Sequence, residues 1–471
     1  MGDDHQQGRW IVLSLLDIAE RMQKGPKVEE NAWNMGLFKK MNELTEKYQL
    51  YYPGDGPVFN LDDGLADRAF RAAIDFLVET GVYCTTTGRV IRFTEDEVLS
   101  TVRAMPKEVT VGEGRDARVL KQRRLEERKE LNHCPAHHAP FSEELAPLVV
   151  KNFAQIPTAD YLEGINFAEV DGREIYGMPM EVYAAKREAS WMRQGVAKAG
   201  RPGMAIAFYP INTRAPVLIA PIDREVGLRP CDGILLSVLP DIKIEQDYLT
   251  AAIVWEEYGG FKLNGNGGGS VGGFAGDLGG ALIESIVQVL SGWINYRDIA
   301  CWGGVRWASL TASAKVIDVR IPEVWATSVW AQALHRHTNY ILFRGAGGIS
   351  GPGCESYLLE AASQAVILPI NGLNVHISRQ GRARMNASQS PLDAEWGYEV
   401  AAAVMRAGLT RESAGDLLLK IAEKMKGRPV EAPYHDIREF YDLVHHKPLP
   451  DYERAYLKVK EELASLGLNF D

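Results

Sequence analysis

Short apolar runs recur along most of this chain at a steady spacing. They begin near residues 161 (YLEGINFAEV), 204 (MAIAFYP), 233 (GILLSVL), 260 (GFKLNG), 298 (DIACWG), 339 (NYILFRG) and 372 (GLNVHIS). Between most of them lie stretches with helical character: Pro179–Gly200, Glu245–Gly259, Ala281–Tyr296, Pro352–Ile370 and Trp396–Gly408. Strand, helix, strand at roughly 35-residue intervals predicts parallel βαβ units. Seven strands and a weaker eighth at 217–220 predict an α/β fold, a closed (β/α)₈ TIM barrel over residues 151–471 with C-terminal helices. A doubly wound open sheet fits less well, because no G-x-G-x-x-G follows the first strand and opens a helix.

Residues 1–150 read as an α-rich N-terminal extension. A short strand pair is expected at 81–84 and 90–93. Thr94-Glu-Asp-Glu97 has capping-box spacing, so a helix starts there. Arg115–Glu130 is charge-rich with few large apolar residues and reads as an exposed arm or a solvated helix.

Composition narrows the classes. The chain has 471 residues, 46% of them hydrophobic, and 62 acidic against 52 basic groups. Such an acidic balance disfavours nucleic acid or an anionic membrane as a partner. No apolar run reaches the roughly 18–20 residues of a membrane helix. Five cysteines make no disulfide framework, so a cytoplasmic location is expected.

In a barrel, chemistry gathers at the C-terminal strand ends. This points to Glu169, Phe208, Tyr209, Asp241, 264–269, Trp302, 344–348 and 376–379. Glycine concentrates there, at 264–269, 272–280 and 345–348, letting backbone approach a ligand or a partner closely. A phosphate loop does not fit, since no Gly-Lys-Ser/Thr follows. Cys134-Pro-Ala-His137-His138 is the best metal-like cluster, but two or three ligands at this spacing remain incomplete. An ordinary polar loop and a substrate-facing His137 stay open beside zinc.

Several blocks together resemble the monomethylamine:corrinoid methyltransferases. They are Gly81-Val-Tyr-Cys84, Phe93-Thr-Glu-Asp-Glu97, Gly112-x-Gly-Arg-Asp116, Ala199-Gly-Arg-Pro-Gly-Met204, Gly272-Gly-Phe-Ala-Gly276, Gly351-Pro352 with Glu355 and Leu358-Leu-Glu-Ala361, and Leu466-Gly-Leu-x-Phe470. The resemblance implies a barrel, a homo-oligomer (a hexamer or a trimer-based form), and methyl transfer to the cobalt of a separate corrinoid protein. That partner would supply the cobalamin, so no tightly bound cofactor and no bound metal are expected. Relatives carry pyrrolysine, and an ungapped match puts Glu225 at its position. The family's acidic pair falls on Gly279 and Gly280, its glutamine on about Gly345, and Glu355 is retained.

A donor that needs no protonation follows from these departures. A quaternary N-methyl amine leaves as a neutral molecule, so the enzyme needs only to bind a cation and aim its methyl. The resemblance thus implies Glu225 and Glu355 as catalytic carboxylates. Phe208, Tyr209 and Trp302 would face the cation; Arg224, Arg344 and Arg306 would pair with a betaine carboxylate. His137 and His376 are further substrate-side candidates, and Gly267, Gly268, Gly345, Gly347 and Gly348 would form the corrinoid-facing mouth. Betaines and N-methylpyridinium carboxylates such as trigonelline fit as small-molecule substrates. The alternatives are a zinc-dependent O- or S-methyl:corrinoid methyltransferase and a corrinoid-binding protein without its own catalysis.

Overall fold

The computed structural model describes residues 12–54, 56–135, 140–164, 166–307, 321–376 and 380–471, leaving aside the side chains of 266, 267, 306 and 307. All seven apolar runs form strands of one parallel sheet in sequential order. They are β1 Tyr161–Glu163, β2 Ala205–Phe208, β3 Gly233–Leu236, β4 Phe261–Gly267, β5 Ala300–Gly303, β6 Ile341–Gly345 and β7 Asn374–His376.

The eighth position is filled by residues 132–135, from the part read as an extension. The amide of Cys134 donates to Val375 and that of Val375 to Asn132, both at 2.9 Å. On the other side Asp160 N donates to His133 O at 2.8 Å. The segment runs parallel to β7 and closes the sheet on itself, which leaves no exposed edge. The weak eighth strand expected at 217–220 is instead part of the helix Ala215–Ile219. Pro216 at its start fixes φ and lacks an N–H, which suits a helix N-terminus and not a central strand.

Arg115–Glu130 is neither a solvated helix nor an exposed arm. Arg118–Lys121 pairs antiparallel with Glu108–Val111, and Val111 and Leu120 are buried in the cluster that fills the barrel. Gly112 N donates to Cys231 O at 3.0 Å and Glu113 N to Gly203 O at 2.8 Å. Both acceptors precede their strands, so this hairpin plugs the N-terminal end. The arginine-rich stretch stays folded because Arg123, only 2% exposed, donates to the carbonyls of Glu127, Lys129 and Glu130, each at 2.6 Å.

The N-terminal helices Leu15–Lys24, Glu30–Tyr48, Asp63–Glu79 and Glu95–Arg103 cover one side of the barrel. The capping box is present: Thr94 N donates to Glu97 Oε2 at 2.9 Å, and Glu97 N to Thr94 Oγ1 at 3.3 Å. These helices enclose Leu278–Tyr296, whose one polar row, Glu284, Gln288, Ser291 and Asn295, hydrogen-bonds within itself. Every residue of it from Gly279 onward is buried. Among the described residues, no helix is long and apolar enough to cross a membrane.

The C-terminal helices Arg411–Met425 and Pro450–Ala464 pack against Glu355–Ile370, and against that same helix lies Pro391–Arg406. There, burial and the neighbouring Glu399 push Glu395 up to about 7. The folded state thus holds this proton more tightly than the unfolded chain. Its stabilisation is complete below the ordinary carboxylate pKa and is lost as pH rises through about 7, an effect on the order of 2–3 kcal/mol. Thermal melts from pH 5 to 8 should therefore fall more steeply for the wild type than for Glu395→Gln.

Candidate active site in the barrel mouth

Side chains alternate along a strand, and in a barrel one set fills the interior. The filled end holds Val111, Leu120, Tyr161, Ala205, Leu235, Phe261, Ala300 and Ile341. Toward the C-terminal ends the interior turns polar. Cys134, Glu163 from β1 and His376 from β7 place their ligating atoms within 4.8 Å of one another, at 0%, 2% and 2% exposure. His376 Nε2 lies 2.7 Å from Glu163 Oε2. Glu163 Oε1 has no hydrogen-bond partner among the described residues, an arrangement that costs free energy in a dry interior. Burial, with the Glu163 charge beside it, pushes the Cys134 thiol well above its usual pKa.

Flat rings stand against this polar set. Trp302 of β5 stacks on His376 with centroids 4.5 Å apart and 17° between planes. Tyr209 lies beyond Trp302 at 6.4 Å and 22°. Gly265 makes room for the indole: a Cβ there would come within 3.3 Å of Trp302 and 2.8 Å of Ser237 Oγ. A buried carboxylate with one oxygen unpartnered among the described residues, next to stacked aromatic faces, is a setting for a cation.

The chain matches the family model "Monomethylamine methyltransferase MtmB" over residues 13–468. It belongs to that family. Monomethylamine methyltransferase MtmB2 of Methanosarcina acetivorans is 27% identical over 466 residues, covering 96% of this chain and 98% of the relative. MtmB of Methanosarcina mazei is 27% identical over 467 residues with the same coverage. The crystal structure of Methanosarcina barkeri MtmB superposes with a TM-score of 0.86 at 22% identity, covering 97% of this chain and 98% of that one; it shows the same fold. Membership of the MtmB family makes the chain a methyltransferase.

Within this MtmB-type barrel the structure brings Tyr209, Trp302 and His376 together, while other expected residues lie elsewhere. Glu225 and Arg224 sit on an exposed turn before β3, at the plugged end, where Arg224 lies over the Tyr258 ring. Glu225 therefore cannot act as the mouth carboxylate. Glu225→Gln should leave kcat/KM within about twofold of wild type, checked by steady-state assay.

Phe208 is fully buried in the layer between barrel and helices, because its neighbours Ala207 and Tyr209 take the interior positions. By the same alternation Phe343 points in and Arg344 points out. Arg344 Nη2 pairs with Glu323 at 3.0 Å, and Nη1 donates to Gly303 O. Glu355 is taken by Arg428 at 3.0 Å and Lys458 at 2.7 Å; it clasps the C-terminal helices. Glu169 is exposed in a small hairpin. His137 and the side chain of Arg306 lie outside the described residues.

The glycine loops are fixed rather than open. Gly267 pairs with Gly303 across β4 and β5, and a Cβ at Gly268 would strike Gly304 O at 2.2 Å. Glu284 accepts from Ser270 N at 3.3 Å and Asp241 N at 3.0 Å. Gly345 ends β6 opposite His376. Beyond Gly347, Glu360 accepts from Ile349 N at 2.7 Å and Ser350 N at 2.8 Å, and a Cβ on Gly348 would strike its carboxylate. Gly279 and Gly280 pack away from the mouth. A Cβ on Gly280 would stand 1.9 Å from Ala275 O, and one on Gly279 2.5 Å from Leu50 O. They are glycines for close packing against Glu30–Tyr48, so their identity does not report on the substrate.

Glu163 and Cys134 were not singled out together from sequence. The available signal was an acid inside the apolar run Tyr161-Leu-Glu163, on the interior-facing period set by Tyr161.

Proposed function

We propose that this protein transfers a methyl group from a quaternary N-methyl amine to the Co(I) of a separate corrinoid protein. A betaine or an N-methylpyridinium carboxylate such as trigonelline fits as donor. The observation that carries the reading is the Tyr209–Trp302–His376 stack of flat rings at the barrel mouth. Aromatic faces within about 6 Å of a cation contribute roughly 0.5–2 kcal/mol.

The partner's Co(I) supplies the electron pair for the new bond to carbon. The C–N bond breaks with its pair left on nitrogen, and the amine departs neutral with no proton required. The chain's own work is to bind the cation, hold its methyl toward the strand ends and keep water out. Relatives are named for monomethylamine, whose leaving group does need activation, so it belongs on the same assay panel. Enzyme and reduced corrinoid protein are mixed with glycine betaine, trigonelline, a carnitine-type betaine or monomethylamine, and loss of Co(I) absorbance is followed. Turnover of a quaternary donor supports the reading; turnover of monomethylamine alone, or of none, sinks it.

A further inference from the structure

Closing the barrel brings together three side chains that lie far apart in sequence. Cys134 comes from the closing segment, Glu163 from β1 and His376 from β7. Thiolate, carboxylate and imidazole are the three zinc-ligand types, and three protein ligands with one open position is the pattern of sites that bind a further small molecule. Zinc bonds of about 2.0–2.3 Å set ligand atoms roughly 3.3–3.8 Å apart in a tetrahedron. Atoms already within 4.8 Å need only small side-chain rotations to reach that spacing. An independent sign is Glu163 Oε1, buried and without a partner among the described residues. Buried charges are ordinarily paired or coordinate metals.

We propose that Cys134, Glu163 and His376 form a site for a zinc-type divalent cation whose open fourth position takes an oxygen of the methyl donor. Softness favours zinc over magnesium or calcium, since a thiolate and an imidazole suit the borderline-soft ion. The second half rests on the methyl-transfer reading; metal binding itself does not. A betaine brings a carboxylate, and neither Arg344 nor Arg224 reaches the interior to receive it. The metal does so. Thiolate, carboxylate and dication together carry no net charge, so the incoming carboxylate restores one negative charge beside the methylated nitrogen. Trp302, stacked on the ligand His376, then lies over the rest of the donor.

The test uses full-length protein stripped with chelator, offered Zn²⁺ or Co²⁺, and desalted. The wild type should retain about one equivalent, and the cobalt form should show a thiolate-to-metal charge-transfer band with tetrahedral visible bands. Cys134→Ser should lose the charge-transfer band and retain at least about tenfold less metal. Glu163→Gln should also retain less metal, with circular dichroism confirming the fold of both variants. Cys231→Ser, at the plugged end, should behave as wild type. Retention far below one equivalent in the wild type, or equal retention in Cys134→Ser, overturns the site. Adding a betaine to the cobalt form should shift the visible bands; no shift with any carboxylate-bearing donor overturns the oxygen assignment.

Retention is read without turnover, so the two readings fail separately. Bound metal with no methyl transfer from any donor sinks the proposed function and leaves the site. Methyl transfer undiminished by metal removal sinks the metal's role and leaves the function. If an aryl methyl ether is demethylated and quaternary amines are not, the donor class is overturned while the metal remains.

Discussion

Replacing Glu163 by glutamine is expected to lower kcat/KM for methyl transfer by about 10²–10³-fold without lowering the melting temperature. The amide keeps the shape of the side chain, and its oxygen can still accept from His376 Nε2, now 2.7 Å from the carboxylate. What disappears is charge. Glu163 is 2% exposed and one of its oxygens has no partner among the described residues. It is a group whose burial lowers stability and whose negative charge is useful only when a cation arrives. Its removal should leave stability equal or raise it by about 1 kcal/mol, in line with the stability–activity trade-off. Parallel thermal melts and steady-state kinetics check both halves. A variant that loses activity because it unfolds, or one that keeps full activity while folded, contradicts the assignment of Glu163 to the site.

The second large effect lies at the other end of the barrel. Asp232 is fully buried at the start of β3 and forms an ion pair with Arg193 of the helix Gly177–Lys198. It also accepts from Ile206 N at 2.8 Å and Arg229 N at 2.6 Å. Arg193 in turn donates to the carbonyls of Gly227, Pro202 and Met204. One carboxylate therefore ties β2, β3 and a covering helix together. Asp232→Ala would strand a buried guanidinium and two backbone N–H groups, at a cost of about 3–5 kcal/mol. Denaturant unfolding should show that loss, with a melting temperature lower by several degrees. The double variant Arg193→Met with Asp232→Leu should recover part of it, because no unpaired charge remains.

Periodicity alone located all seven barrel strands and most of the covering helices, since a parallel strand buried on both sides must be an apolar run and its crossover helix must follow. The capping box at Thr94 was equally local: four adjacent residues satisfy one another's backbone groups wherever the helix ends up. The closing segment was hidden because 132–135 is short and polar, and its partners Val375 and Asp160 are distant in sequence. The hairpin at 108–121 was hidden for a related reason. Its charges suggested solvent, whereas the barrel end buries one alternating face and lets the other, with its arginines, reach backbone carbonyls.

The site shows the same division. Trp302, Tyr209 and His376 were legible because they stand at strand ends, and strand ends in a barrel converge on one mouth. Strand period could also have turned Arg344 and Phe208 outward. Glu225 was misplaced because a sequence match without a gap carries no information about which end of a strand a turn occupies; it precedes β3 and lies at the plugged end. Gly279 and Gly280 looked like lost acids until the approach of Ala275 and Leu50 gave each a packing reason. The sequence by itself determined the rhythm of strands and helices, the family and the end of the barrel where chemistry gathers. Only the tertiary structure decided that Cys134, Glu163 and His376 meet, because barrel closure sets the first and last strands side by side, a contact that no local pattern encodes.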